Sequence, residues 1–141
     1  MSVQLKRVYE PPDRSDGARV LVDRLWPRGL TKEEAALDAW LKDIAPSHEL
    51  RKWYHAHPQE WRKFRERYLE ELSTETAEAE LQRLQELARK PEGLTLLFAS
   101  KSLEQNHAIV LKELIEGQRK PPRGTGRGGA AAGRVRAARR S

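Results

Sequence analysis

Two short stretches hold most of the residues that could do chemistry. Asp23, Arg24, Trp26, Arg28 and Lys32 follow the apolar run Val20–Val22, and Ser100, Lys101, Ser102, Asn106 and His107 follow the apolar run LTLLFA. A guanidinium is a planar fork that matches phosphate or carboxylate, and an ammonium adds a point charge. Trp26 could stack a flat ligand or hold an arginine by cation–π contact. His107 is a candidate proton donor or acceptor near neutral pH. A helix opening at Ser102 would add backbone N–H groups and a positive dipole end. These residue types point to a phosphate- or carboxylate-binding site. In that reading Arg24, Trp26, Arg28, Lys101, Ser102 and Asn106 are anion contacts and His107 is the catalytic residue. Each also has an ordinary structural reading. Arg24 could pair with Asp23, Asp38 or Asp43, Trp26 could close the core, Pro27-Arg28-Gly29 could be a stiff turn, and His107 could be a satisfied core histidine.

Other chemistries find less support. There is no cysteine, which excludes disulfides, thiolate metal sites and thiol nucleophiles. His55 and His57 are two apart, a spacing that suits a metal only on a strand or loop, and no third ligand is evident, so no metal is expected. Trp40, Trp53 and Trp61 stand at helical spacings and read as core. Arg51, Lys52, Arg62, Lys63, Arg65 and Arg67 alternate with acids, as on a solvated helix face. Ser47 reads as a helix cap rather than a nucleophile. Neither a phosphate loop nor a dinucleotide fingerprint occurs, so no cofactor is expected.

The elements that must position these residues are legible from periodicity. Val3–Tyr9 alternates and reads as a strand, the loop EPPDRSDGA follows, and RVLVDRLW reads as a strand covered on both faces. Thr31 and Glu34 form a capping box, and Ala36, Leu37, Trp40, Leu41 and Ile44 continue as a helical stripe up to Pro46. Ser47 caps a short helix. Pro58 opens another, with Trp61, Phe64, Tyr68 and Leu72 on one face. A further helix spans about Glu75 to Lys90. LTLLFAS is a third strand, and Ser102 with Gln105 forms a second capping box ahead of a final helix ending near Gly117. The sequence thus predicts an α/β fold in which a small, mostly parallel three-stranded sheet is covered by about five helices. The link between the first two strands is short for a parallel crossover and leaves an antiparallel hairpin open. If the second and third strands are parallel neighbours, their carboxyl ends bring the two polar stretches together, where ligands gather in open α/β sheets.

The charge is unevenly spread. Of 27 Lys and Arg residues, eight lie in 118–141, which has no acid, leaving 19 against 21 Asp and Glu in residues 1–117. The net +6 therefore belongs to the tail, which is rich in Arg, Gly, Ala and Pro and is expected to be disordered. The domain plan is one α/β unit over 1–117 and a tail over 118–141. No apolar run reaches the ~20 residues needed to span a membrane, and MSVQLKRVYE lacks the apolar stretch of a secretory leader. A soluble, cytoplasmic protein is the default.

Longer strings carry a family resemblance. KRVYEPP, DGARVLVDRLWPRGL.KEEA, W.KDIAPSHELRKWY, W..F..RY..EL and LTLLFASK…NHA.VL resemble the YeaO-like proteins, a branch of a large bacterial family of unknown function. The resemblance runs from about Val3 to Ile115, and its matching positions include Asp23, Arg24, Trp26, Pro27, Arg28, Gly29, Lys32, Pro46, Ser47, Arg51, Trp53, Asn106 and His107. It implies a small α/β domain whose strand ends face one another. In the broader family the last strand leads into a Cys-His-Arg stretch, and Asn106-His107-Ala108 stands at the matching place here. The histidine is kept without the cysteine or the arginine, so the resemblance carries no thiol chemistry over.

Three functional readings follow. One is a site for an anionic small molecule, binding or catalytic. The second is a nucleic-acid-binding or regulatory module in which the basic tail contacts phosphates. The third is an interaction protein without a site. The oligomeric state is left open.

Overall fold

The computed structural model describes residues 3–102 and 105–117. The tail expected to be disordered, 118–141, lies outside the described residues. Strands β1 (Val3–Arg7), β2 (Ala18–Leu21), β3 (Ala39–Trp40) and β4 (Leu94–Phe98) form one sheet in the order β1-β4-β2-β3, with every neighbouring pair parallel. The class is the expected α/β one, with one strand more than predicted. In register, Leu5 stands beside Leu96, Leu96 beside Val20, and Val20 beside Ala39. β4 is an inner strand, apolar except for Thr95, and all five of its residues are buried. A strand covered on both faces requires that composition.

β1 and β2 run the same way with β4 between them, so the link 8–17 is a crossover and not a hairpin. Returning along a five-residue strand and stepping over two strand spacings needs about 20 Å. Ten residues can extend to about 33 Å, so a short 3-10 turn at Arg14–Asp16 suffices where a helix is usual.

Side chains alternate between two layers. Val20, Val22, Leu94, Leu96 and Phe98 face the larger core, built with helices α2 (His48–Ala56), α3 (Trp61–Glu71), α4 (Glu75–Arg89) and α5 (His107–Gly117). Leu21 and Leu97 face a smaller cluster with Val8 and Ala35, flanked by Trp26, Leu30, Leu37 and Trp40. Among the described residues, no helix is long and apolar enough to cross a membrane.

The helix expected from Thr31 to Ile44 does not form as one piece. Its capping box is present, with the Glu34 N–H donating to Thr31 Oγ1 at 3.1 Å and the Thr31 N–H to Glu34 Oε1 at 2.9 Å. Yet α1 covers only Lys32–Ala35, and Ala36 turns left-handed at φ 49° and ψ 54°. Arg19 explains the break. Its Nη2 donates to the Ala35 carbonyl at 2.7 Å and its Nε to the Ala36 carbonyl at 3.0 Å, two acceptors that a continuing helix would need. Asp38 then joins the sheet edge: its N–H donates to the Arg19 carbonyl at 2.8 Å, and its Oδ2 accepts the Arg19 N–H at 2.7 Å. The apolar stripe is split, with Leu37 and Trp40 going to the small cluster and Leu41 and Ile44 to the large core.

Three boundaries also move. β2 ends at Leu21 rather than Trp26, α3 starts at Trp61 rather than Pro58, and α5 starts at His107 rather than Ser102. Asn106 caps α5 instead, accepting the Ile109 N–H on Oδ1 at 3.2 Å.

Candidate functional site

β2 and β4 finish side by side. Leu21 pairs with Leu97, the Val22 N–H donates to the Leu97 carbonyl at 3.1 Å, and Asp23 Oδ2 accepts the Ala99 N–H at 2.9 Å. The loops that leave the two strands are therefore tied at their first residues. His107 adds a third tie. Its Nε2 lies 2.9 Å from the Val22 carbonyl, and because a carbonyl only accepts, this nitrogen carries the proton. The same nitrogen lies 3.1 Å from Asp23 Oδ1, but the N–H is directed at the carbonyl, and Oδ1 remains a buried acceptor without a hydrogen bond. The imidazole also stands edge-on to Tyr68, with ring centroids 6.1 Å apart.

Above these ends lies a cleft of about 650 Å³. Asp23 and Arg24 line it from the β2 loop, Ala45 and Pro46 from the segment before α2, and Arg51, Tyr54 and His55 from α2 itself. Phe64 of α3 and the residues from Ala99 through Ser102 close the remaining walls, with Gln105, Asn106 and His107 at the start of α5.

Arg24 gives the cleft its character. Its Nη2 donates to the Ala45 carbonyl at 2.9 Å and its Nε to the Pro46 carbonyl at 3.3 Å. The guanidinium is thus oriented by neutral acceptors and makes no ion pair among the described residues, although Glu80 lies near enough for the Arg24 charge to act on its carboxyl. Tyr68 braces those acceptors from behind, its hydroxyl donating to the adjacent Ile44 carbonyl at 2.6 Å. Burial, reinforced by the charges of Glu71 and Asp23, pushes the Tyr68 phenol well above its ordinary range, so it stays a donor. Ser47 holds the next step: its hydroxyl donates to Glu71 Oε2 at 2.5 Å and accepts the Leu50 N–H at 3.1 Å, capping α2 and binding it to α3. From this capped helix Arg51 reaches the cleft half-buried, with no ion pair among the described residues. Among the described residues, the lining therefore carries Arg24, Arg51 and Lys101 and the carboxylate of Asp23.

Of the residues singled out from sequence, Arg24, Lys101, Ser102, Asn106 and His107 line this cleft. Asn106 is 4% exposed, and both ends of its amide are engaged, Oδ1 by the α5 cap and Nδ2 by the Ser102 carbonyl at 2.8 Å. Trp26 and Arg28 do not line it. Trp26 packs in the small cluster on the other face of the sheet, edge-on to Trp40 at 5.4 Å, with its Nε1 donating to the Leu30 carbonyl at 2.7 Å. Side chains alternate across a strand, and the loop after β2 carries Trp26 over the side opposite α2–α5. Arg28 is exposed beyond it, its carbonyl accepting the Tyr9 hydroxyl at 3.0 Å.

Arg51, assigned from sequence to a solvated face, lies instead in the lining, with Tyr54 and His55. Their spacing of three and four residues placed them on one helix face from the start. Charge alternation along α2 and α3 hid that signal.

Comparison with known proteins gives the chain a family. Residues 2–128 match the family described as the inactive DUF488-N3 subclade, DUF488-N3i. Uncharacterized protein YeaO of Escherichia coli K12 is 51% identical over 115 residues, covering 82% of this chain and 97% of its own length. Uncharacterized protein Rv3073c of Mycobacterium tuberculosis H37Rv is 43% identical over 116 residues, covering 82% of this chain and 95% of its own. A Mycobacterium bovis relative, Uncharacterized protein Mb3100c, matches to the same extent, 43% over 116 residues. No solved structure matches the chain. With a family match over nearly the whole sequence and a relative at 51% identity, this chain is a YeaO-like member of the DUF488-N3i family.

Proposed function

We propose that the cleft binds the phosphate or carboxylate group of a small anionic molecule and holds it without reacting it. The observation that carries this is Arg24, a guanidinium fixed by the Ala45 and Pro46 carbonyls and without an ion pair among the described residues. Such a group is pre-organised for an anion, because little freedom is lost when the ligand arrives. Arg51 and Lys101 add to the same field.

Several features favour binding over turnover. The chain has no cysteine. Asn106, at the place where the broader family carries one, is committed to the α5 cap. His107 commits its Nε2 proton to the Val22 carbonyl, which suits a residue that positions the loops. The word inactive in the family description agrees with this reading.

Titration calorimetry with glycerol 3-phosphate, citrate and inorganic phosphate tests it. Arg51→Ala is the clean variant, since its side chain supports no other described contact. Losing one charge-assisted contact removes about 1.5–3 kcal/mol, roughly tenfold to a hundredfold in affinity. Unchanged affinity in both Arg24→Ala and Arg51→Ala refutes the reading.

A second reading is favoured by one feature, the eight cations and no acid of residues 118–141. They suit non-specific nucleic-acid binding with a steep salt dependence. Removing the chain after Gly117 should then abolish DNA and RNA retention at low salt, and unaltered retention leaves this reading empty.

A further inference from the structure

The geometry points to a planar ring as the body of the ligand that carries the anion, laid against Tyr54 beside the cationic wall of the cleft. The inference rests on the anion reading above and adds the class of molecule.

The cleft, at about 650 Å³, is within the range of sites that enclose whole small organic molecules. A bare phosphate or carboxylate would fill only a small part of it. The lining is also divided in kind. Arg24, Arg51 and Lys101 supply charge, while Tyr54 and Pro58 supply apolar surface and the buried Pro46 and Phe64 back the wall. A ligand that is all charge would leave the second set facing water.

Tyr54 is held as a platform would be. Its ring stacks on Phe64 at 4.6 Å between centroids, and its hydroxyl donates to Gln105 Oε1 at 3.3 Å. Phe64 is itself stacked on Trp61 at 5.5 Å and on Tyr68 at 5.8 Å. A ring fixed at both its face and its tip gives up little freedom when another ring is laid on it. Arg51 and Tyr54 are three residues apart on α2, which makes them neighbours about 5–6 Å apart at Cβ. An anion on Arg51 therefore brings a directly attached ring within reach of Tyr54. A nucleobase and a simple aryl group share this chemistry, a π face close to an anion.

The test is calorimetry on the full chain with adenosine 5′-monophosphate, 1-naphthyl phosphate, 1-naphthoate, ribose 5-phosphate and inorganic phosphate at one ionic strength. At least one ring-bearing anion should bind roughly fivefold to a hundredfold tighter than ribose 5-phosphate, the gain typical of one stacked ring. Tyr54→Leu should erase that gain, Tyr54→Phe should keep it, and Arg51→Ala should weaken every anion. The tail is present in every variant, so its own contacts cancel in the comparison. Preference for the nucleotide over both naphthyl compounds selects a nucleobase, and the reverse selects an aryl group. Equal affinity for ring-bearing and ringless anions overturns the inference while leaving the anion reading intact, and this comparison needs only the parent protein. A gain that survives Tyr54→Leu, at an unchanged unfolding temperature, overturns it as well. Binding that ignores Arg51 altogether refutes the anion reading itself, a separate result.

Discussion

Replacing Arg19 by Met should unfasten β3 and cost the protein about 4 kcal/mol. Arg19 is 5% exposed, and its guanidinium serves Asp16 Oδ2 together with the carbonyls of Ala35 and Ala36. Methionine keeps most of the volume and none of the donors. Breaking a buried ion pair from one side costs about 3–5 kcal/mol. Asp16 keeps Lys6 Nζ at 3.1 Å and the Asp13 N–H at 3.0 Å, which places its share at the low end. The two orphaned carbonyls add about 1 kcal/mol between them if water reaches one. For a chain of this size each kcal/mol shifts the unfolding midpoint by about 4 °C, so the drop should be near 15 °C. Thermal unfolding by circular dichroism measures it. Hydrogen exchange locates it: the amides of Asp38 and Leu41, bonded to the carbonyls of Arg19 and Leu21, should lose protection while those of the β1–β4 pair keep theirs. A loss below about 1 kcal/mol with Asp38 still protected would mean that Arg19 does not interrupt the helix, and that the left-handed turn at Ala36 has another cause.

Four further outcomes follow from single residues. Gly17 has φ 64°, and a Cβ there would stand 2.2 Å from the Glu92 carbonyl oxygen, so Gly17→Ala should cost at least about 3 kcal/mol. Gly29, at φ 78° with open space around it, isolates the backbone term, and Gly29→Ala should cost only about 1 kcal/mol by the same denaturation assay. Ser47→Ala removes the α2 cap and the bond to Glu71, an expected loss of about 2 kcal/mol, and a double-mutant cycle with Glu71→Gln should be strongly non-additive. Asp16 is pushed up by burial but held below its ordinary value by the Asp13 N–H, Lys6 and Arg19 together. With the folded pKa depressed, its charge stabilises the protein above about pH 4 and that stability is lost as pH falls through the folded value. Acid unfolding curves should therefore be flatter below pH 4 for Asp16→Asn than for the parent, and parallel curves would contradict the assignment.

Local periodicity revealed the elements that repeat, and long-range bonds decided the ones it did not. β4 was legible because LTLLF, with Thr95 its one polar residue, can hardly be anything but an inner parallel strand. α4 was legible because Leu81, Leu84 and Leu87 recur at helical spacing; the first two are buried and Leu87 packs half-buried against the core. The stretch 36–44 carries an equally regular stripe and is nevertheless a turn, a two-residue strand and a 3-10 turn. What separates the two cases is Arg19, distant in sequence, whose donors compete for the helix's own carbonyls. At the candidate site, the convergence of Arg24, Lys101 and His107 followed from two parallel strands ending together. Trp26 was placed on the wrong side of the sheet because a loop, unlike a strand, does not declare which face its side chains take. Arg51 was overlooked for a different reason: an arginine that alternates with glutamates looks solvated until the neighbouring elements are in place.

The cleft stands out most clearly against the charge of the rest of the molecule. Residues 1–117 carry two more acids than bases, yet among the described residues the cleft lining holds three cations and one carboxylate. Some cations elsewhere are paired, Arg65 with Glu113 at 3.0 Å, Lys112 with Glu116 at 3.8 Å, and Lys6 and Arg19 with Asp16, while Arg7, like Arg24, is held by carbonyls, those of Ala99 and Ser100. Arg24 had an acid within reach in sequence, Asp23 immediately before it, and the fold directs it elsewhere. Asp23 turns to the Ala99 N–H, and Arg24 receives carbonyls. A carbonyl orients a guanidinium as well as a carboxylate does but leaves its field intact, and a concave, partly apolar surround concentrates that field. On the proposed reading the complement of Arg24 is an anion from outside, and the Asp23 bond to Ala99 that takes the neighbouring carboxylate away from Arg24 also joins the ends of β2 and β4.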